Sequence, residues 1–263
     1  MKMHKELREH IIKLLEKGLR LDGRKSLQYR SPIVIKKGII KTAEGSAHVS
    51  IGDTEVLAGV KLEVSEPYPD TPDEGGIMVG AELLPLSNPE FELGPPGIQA
   101  IELARVIDRG IRESKAIDLK ALCIKEGEKA WTVIIDICPI NDNGNLFDAS
   151  ALAVISALMD TRFPKYENEK IDYKVKTDKK LPVNVLPIAV TVIKLGNSFL
   201  VDPDTEEENV IDARLTVSTK EDGTICSLQK GGETPFTFEE IDKIVDIAIE
   251  KSAELRQHIL GNR

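Results

Sequence analysis

The sequence predicts an α+β fold made of two tandem sheet-and-helix units, and three observations carry that prediction. The apolar residues change period along the chain, from helical spacing to strict alternation and back. The second half repeats the succession of strands closed by a helix that the first half shows. With 263 residues, 41% of them hydrophobic, the chain can bury a core larger than that of one typical domain.

Leu7, Ile11, Leu14 and Leu15 recur at helical spacing ahead of Gly18, so residues 4–18 form an amphipathic helix with a glycine stop. The turn RLDGRK follows, and then three strands: SPIVIKKGIIK, SAHVSIG and the alternation of Val56, Ala58, Val60, Leu62 and Val64, with Gly52 and Asp53 at the last connection. Between Glu66 and Gly97 lie seven of the fourteen prolines, which predicts an ordered loop around one short strand, IMVGAELLPL. A helix runs from about Ile98 to Lys115, and two strands joined at Glu126–Glu128 end in the alternating Trp131, Val133, Ile135 and Ile137. FDASALAVISALMD is apolar nearly all round, the pattern of a helix buried between layers. The polar stretch from Arg162 to Lys180 is the expected domain boundary, giving an N-terminal helix and arm (1–30) and two domains (31–165 and 181–260). The second half supplies LPVNVLPIAVTVIKLG, FLVDPD, VIDARLTVSTKEDG and ICSLQKGG as strands, then a helix opened by Thr237 and Glu240 as a capping box.

A net charge of −9 excludes a protein that coats nucleic acid over its whole surface, so any polyanion contact is local. The first thirty residues are basic by contrast, with Lys2, Arg8, Arg20, Arg24 and Arg30 among nine cations against four acids. Cys123, Cys138 and Cys226 lack metal-ligand spacing and are expected as buried thiols of a reducing compartment. His4, His10, His48 and His258 are dispersed, which argues against a zinc site; His48 and Trp131 are expected to be structural. The charged N-terminus is no signal peptide, no run is long enough to span a membrane, and no phosphate-cradling glycine loop is present. A cytoplasmic protein without a cofactor is expected.

Arg105, Arg109 and Arg112 fall within roughly 60° of one another on a helix of about 100° per residue, opposite Leu103, Val106, Ile107 and Ile111. Guanidinium groups in such a stripe suit phosphate, although Glu102, Asp108 and Glu113 lie close enough to make it an ordinary solvated face.

RLDGRK after an amphipathic helix, GSAHVSIGDTEVLAGVKLE, ELLPLSNPEFELGPPG, AIELARVIDRGIRESKAIDL and DASALAVISALMD resemble, colinearly over nearly the whole chain, the RNase PH-like subunits of the archaeal exosome, and more narrowly their catalytically silent member. The resemblance implies an RNase PH-like fold, with a ribosomal protein S5 domain 2-like core plus a C-terminal α/β unit. It also implies a hexameric ring in which this chain alternates with an active RNase PH-like partner as a trimer of heterodimers. Cap proteins that bind RNA and single-stranded RNA itself are the further implied partners. The active partner degrades RNA from its 3′ end with inorganic phosphate as nucleophile, which requires cations for phosphate and carboxylates for a metal or a proton.

Judged by that resemblance, the chain lacks the machinery, and no catalytic or metal-binding residue is expected. Glu208 matches one acidic position, but Arg214 stands where the second carboxylate belongs, which reverses the local charge. Gly144, Asn145 and Leu146 replace a Gly-x-Arg turn, and Ile98 and Gln99 replace a pair of arginines. The acidic residues Asp202, Asp204, Glu206, Glu207 and Glu208 are expected to form a solvated turn. Arg105, in the segment matching the family's ELAR, is the expected RNA contact, with Arg109 and Arg112 widening the track. The alternative is that the chain is itself an active phosphate-dependent 3′-to-5′ exoribonuclease.

Overall fold

The structure is a computed structural model and describes residues Lys2–Gly261, with side chains from Lys5 onward. The side chains of Lys2 and His4 therefore lie outside the described residues.

The first sheet runs in the order β1 (Ile33–Lys37), β2 (Gly45–Ile51), β3 (Thr54–Ser65), β6 (Lys129–Asn141) and β4 (Gly76–Ala81), with β5 (Cys123–Lys125) also on β6. Its pairs are antiparallel except β4 with β6. The alternation seen in the sequence is the alternation of faces: Val56, Ala58, Val60 and Leu62 of β3 are fully buried, as are Val133 and Ile135 of β6. The stretch IMVGAELLPL leaves the sheet early. Glu82 still donates its N–H to Ile137, but the chain turns at Leu84–Ser87, where Pro85 has no N–H to give a ladder.

The second sheet, β10 (Ser198–Val201), β9 (Ile188–Leu195), β11 (Ala213–Thr219) and β12 (Ile225–Gly232), is antiparallel throughout. Between the sheets lies α3 (Leu146–Asp160), whose residues from Asp148 to Leu158 are all buried, as its all-round apolarity requires. It packs on β2 and β3 on one side and β9 on the other, so a single core runs through both halves of the chain. Burying each Leu, Ile or Val there is worth about 1.5–3 kcal/mol. The long C-terminal helix α5 (Phe238–Gly261) covers β9 and β11. Its expected capping box forms, with Glu240 N–H on Thr237 Oγ1 and Thr237 N–H on Glu240 Oε2.

α1 (Lys2–Leu15) ends as Gly18 takes a left-handed φ of +74°, and its apolar face builds a second, smaller cluster with Ile193, Leu195, Leu200 and Val210. The polar stretch after α3 folds as a hairpin of β7 (Arg162–Glu167) and β8 (Lys170–Lys180), fastened to the first sheet by Trp131, whose ring meets Phe163 and Tyr166 edge-on. The cysteines depart from expectation: all three are free and only half-buried, since Cys123 and Cys226 sit on the marginal strands β5 and β12.

Candidate functional site

The arginine stripe lies on α2 (Ile98–Ser114), which buries Leu103, Val106, Ile107 and Ile111 and ends where Lys115 adopts the left-handed conformation. The structure separates the three arginines. Arg112 is closed onto Asp108 at 2.7 Å and onto the Ile77 carbonyl at 3.1 Å. Arg109 reaches β12, donating to Gln229 Oε1 at 2.6 Å and to the Leu228 carbonyl. Arg105 is exposed and, among the described residues, makes no hydrogen bond or ion pair. Within the stripe, cation free for a ligand is therefore concentrated at Arg105.

Beside this helix a cleft of about 240 Å³ opens between α2, the start of α3 and the second sheet. Phe91, Leu103, Leu146, Phe147 and Ile193 give it apolar walls; Glu102, Asp142, Glu208 and Arg214 give it charge. Arg214 lies along Gly231 of β12, where a Cβ would come within 2.6 Å of its Cζ, and its guanidinium sits 4.4 Å from the Phe147 ring centroid. Its Nη2 donates to Glu102 Oε2 at 2.8 Å, and Glu102 meets Gln229, which in turn holds Arg109. A chain of hydrogen bonds thus ties α2 to β11 and β12. Arg214 Nη1 is buried without a partner.

The N-terminus of α3 is a natural place for an anion, because its first N–H groups point outward. Here that place is filled from within. Gly144 and Asn145 both take left-handed conformations, with φ of +85° and +60°, and the Asn145 N–H donates to Glu208 Oε1 at 2.8 Å. A Cβ on Gly144 would meet the Pro203 carbonyl at 2.5 Å, so the turn is pressed against the acidic segment. Leu146 adds no donor side chain, and Ile98 and Gln99 stand exposed at the start of α2. Burial pushes the Glu208 carboxyl up to about 7; the Asn145 N–H opposes this, while Asp142 adds to it.

The acidic segment itself is not a solvated turn, and the correction has a direct physical cause. Arg20, Arg24 and Arg30 of the N-terminal segment fold back onto it. Asp202, fully buried, accepts from the Arg30 N–H at 2.6 Å, from Arg30 Nη2 at 2.8 Å, from Arg24 Nη1 at 2.9 Å and from Asn145 Nδ2 at 2.9 Å. Glu207, also fully buried, pairs with Arg20, whose Nη1 and Nη2 cap the Val201 and Asp202 carbonyls. Asp204 caps the short helix α4 (Thr205–Glu208) in a capping box with Glu207, and only Glu206 of the five acids is exposed. Much of the basic N-terminal arm is therefore internal structure. Below this network Asp148 accepts from Tyr29 at 2.6 Å and from the Thr191 N–H at 2.8 Å. Burial raises its carboxyl to about 7 against those donors, and raises the Tyr29 hydroxyl far above its ordinary value.

His48 bonds Glu55 at 2.9 Å on the sheet surface, and Trp131 is core. The described residues hold no group of three or more His, Cys, Asp or Glu side chains set to bind a metal. None of the described helices is long and apolar enough to cross a membrane.

Comparison with known proteins supplies the frame for this geometry. Residues 28–164 match domain 1 of the 3′ exoribonuclease family and residues 186–251 match its domain 2. The chain is 49% identical over 257 residues to the exosome complex component Rrp42 of Thermococcus gammatolerans, covering 97% of this chain and 94% of that one. It is 44% identical over 254 residues to Rrp42 of Methanothermobacter thermautotrophicus, covering 96% and 93%. Among solved structures, an Archaeoglobus fulgidus exosome with RNA bound to the active site contains a chain that superposes with a TM-score of 0.90 at 46% identity, over 98% of this chain and 99% of that one. Rice Rrp46, at 18% identity and a TM-score of 0.69, shares the fold.

Proposed function

Since the chain belongs to the 3′ exoribonuclease family of RNase PH-like proteins, we propose that it is a non-catalytic, RNA-binding subunit of an exosome that completes the reaction centre of an active RNase PH-like partner. One observation carries this. Donors that an incoming phosphate would use are engaged by the chain's own carboxylates: the Asn145 N–H holds Glu208 and Arg214 Nη2 holds Glu102, which leaves Arg214 Nη1 as the unpaired donor of that guanidinium. The cleft thus offers an attacking phosphate a surplus of negative charge. Arg105, by contrast, is a permanently charged planar fork open to a phosphate on another molecule. Arg109 and Arg112 serve the same track from behind, holding α2 in place through β12 and the Ile77 carbonyl.

In this proposal three copies alternate with three active subunits in a hexameric ring in the cytoplasm, under cap proteins that bind RNA. Single-stranded RNA crosses Arg105 on its way to the partner's site. Contacts to backbone phosphate position RNA without reading its sequence, so binding is sequence-tolerant and salt-sensitive. The test is Arg105→Ala in the co-assembled complex. Assembly is expected to match wild type by mass measurement, while RNA affinity and phosphorolytic turnover fall by about tenfold, the loss of one charge-assisted contact of about 1.4 kcal/mol. Unchanged affinity and turnover would leave Arg105 a solvated side chain.

A second reading has one observation in its favour: Glu208, poised near neutrality in a cleft, has the acidity of a general acid. It makes the chain an exoribonuclease in its own right. The isolated chain with 3′-tailed RNA, phosphate and magnesium then releases nucleoside diphosphate steadily; absence of release favours the scaffold.

A further inference from the structure

The β7–β8 hairpin reverses the charge of the chain around it. Between Arg162 and Lys180 there are seven Lys and Arg residues and four Asp and Glu, a surplus of three cations in a protein of net charge −9. The acids of the hairpin are largely taken up: Glu167 by Lys165 at 3.0 Å, Asp178 by Arg162 at 3.4 Å, and Glu169 by Lys129 from the neighbouring sheet. Asp172 accepts the Lys174 N–H. Lys176 is turned inward to the Ala43 carbonyl, and Lys179 lies 4.7 Å from the Phe163 ring centroid. What remains is Lys170, Lys174 and Lys180, all exposed and, among the described residues, without a partner.

These three lie along one strand whose outer edge is open, since among the described residues β8 pairs only with β7. β8 bulges against β7, so Lys170 and Lys180, opposite Glu167 and Arg162 in the ladder, lie about five residues of β7 apart, roughly 17 Å at about 3.3 Å per residue, a length over which a single strand of RNA presents a few phosphates. Near Lys170 and Lys174, Tyr173 is 42% exposed, with Lys61 Nζ 4.4 Å from its ring centroid. A row of unpaired cations beside a partly exposed ring is the combination that holds single-stranded nucleic acid by its backbone and stacks its bases. Protein docking would call for a cluster of buried anchors, and β8 exposes only Tyr173 and Val175 as large apolar side chains.

We propose that the β7–β8 hairpin is a second RNA-contacting surface, a cationic strand edge that tracks the phosphates of single-stranded RNA outside the reaction centre. The proposal rests on the chain being an RNA-handling exosome subunit, but its residues belong to a different element from Arg105. It is tested with K170S/K174S/K180S in the full chain, alone and co-assembled with the active partner. Fluorescein-labelled 30-nucleotide oligouridylate is titrated across a salt series, and a thermal melt verifies folding.

The expected result is an affinity at least about tenfold weaker, with the slope of log affinity against log salt shallower by about 2, from three contacts at about 0.7 each on a single strand. K170R/K174R/K180R keeps the wild-type affinity and slope. Affinity and slope within twofold of wild type for the serine variant overturn the proposal, and increased aggregation of that variant would then identify the lysines as guards of an open strand edge. Loss of a co-assembled protein at unchanged RNA affinity overturns it as well, in favour of a protein-docking edge. Arg105→Ala in parallel separates the two proposals: if it weakens RNA handling and the lysine variant does not, only the hairpin fails. If the wild-type chain and complex bind no RNA at all, both fail.

Discussion

Two sets of arginines, alike in sequence, have opposite fates in the fold. Arg20, Arg24 and Arg30 read as a basic arm, yet Arg20 and Arg30 are buried and all three are bound to Asp202, Glu207 or neighbouring carbonyls. Arg105 sits on a salt-bridged helix that carries as many acids as arginines, yet it is the member of its stripe left open to solvent. The difference teaches that charge offered to a ligand is what remains after internal pairing, and density of basic residues along the chain does not measure it. A buried guanidinium must be matched by a carboxylate with its remaining donors satisfied, and the Asp202 network meets that condition with four donor groups on one carboxylate.

The sharpest way to break this comparison is Asp202→Ala. It leaves the largely buried Arg30 with only the Asn143 and Gly144 carbonyls and removes half of the pairing of Arg24, so the expected cost is about 3–5 kcal/mol, read as a lowered denaturant midpoint. The same measurement on Arg105→Ala is expected to stay within about 0.5 kcal/mol of wild type. Equal midpoints for the two variants would place both arginine sets in the same class, and the distinction between internal lock and open contact would collapse.

A smaller effect is expected from Arg214→Met, which cuts the link between β11 and α2. Arg214 and Glu102 keep 17% and 29% of their side chains exposed, so the loss is about 1–2 kcal/mol, less than for the lock. The variant also frees Glu102 and loosens the Gln229 bridge to Arg109. Faster amide exchange along α2, with weaker RNA binding through a less fixed Arg105, is the expected pair of readouts. Gly231→Ala, which pushes a methyl into the guanidinium, is expected to copy the exchange effect in weaker form. If α2 exchanges as in wild type in both, Arg214 packs passively and does not hold the RNA-facing helix.

The parts of the molecule that were legible in the sequence are those whose physics is local. The expected helix at about Ile98 to Lys115 and the observed Ile98–Ser114 agree because its apolar face and arginine stripe are written within a few residues. β3 and α3 follow equally directly from alternation and from all-round apolarity. The lock was illegible because its partners are 172 to 187 residues apart, so each half looked like an ordinary solvated run. The hairpin was illegible as structure because β8 buries almost nothing and so has no alternation to show. At the candidate site the replacements at Arg214, Leu146 and Gln99 were visible as residue types. That Glu208 turns onto the Asn145 N–H, and that Gln229 couples Arg109 to Glu102, depends on tertiary contacts which no spacing encodes.

The smallest effect concerns Glu208, which lies close to the lock in space but lacks a direct guanidinium partner. Its carboxyl is raised from 4.5 to about 7, chiefly by burial, with Arg214 and Arg30 acting only at a distance. For a carboxyl raised on folding, the folded state holds the proton more tightly than the unfolded one. The stabilisation is therefore fully present below about pH 4.5 and is lost as pH climbs through about 7. Glu208→Gln removes that titration while keeping an oxygen for the Asn145 N–H. Thermal melts from pH 5 to pH 8 are expected to show the variant close to wild type at the acidic end and a few degrees more stable at the basic end. Asp148, raised to a similar value, titrates in both proteins, so the difference between the two curves belongs to Glu208. Parallel curves would mean that Arg214 and Arg30 keep Glu208 charged, and it would then join Asp202 and Glu207 as a third carboxylate of the lock.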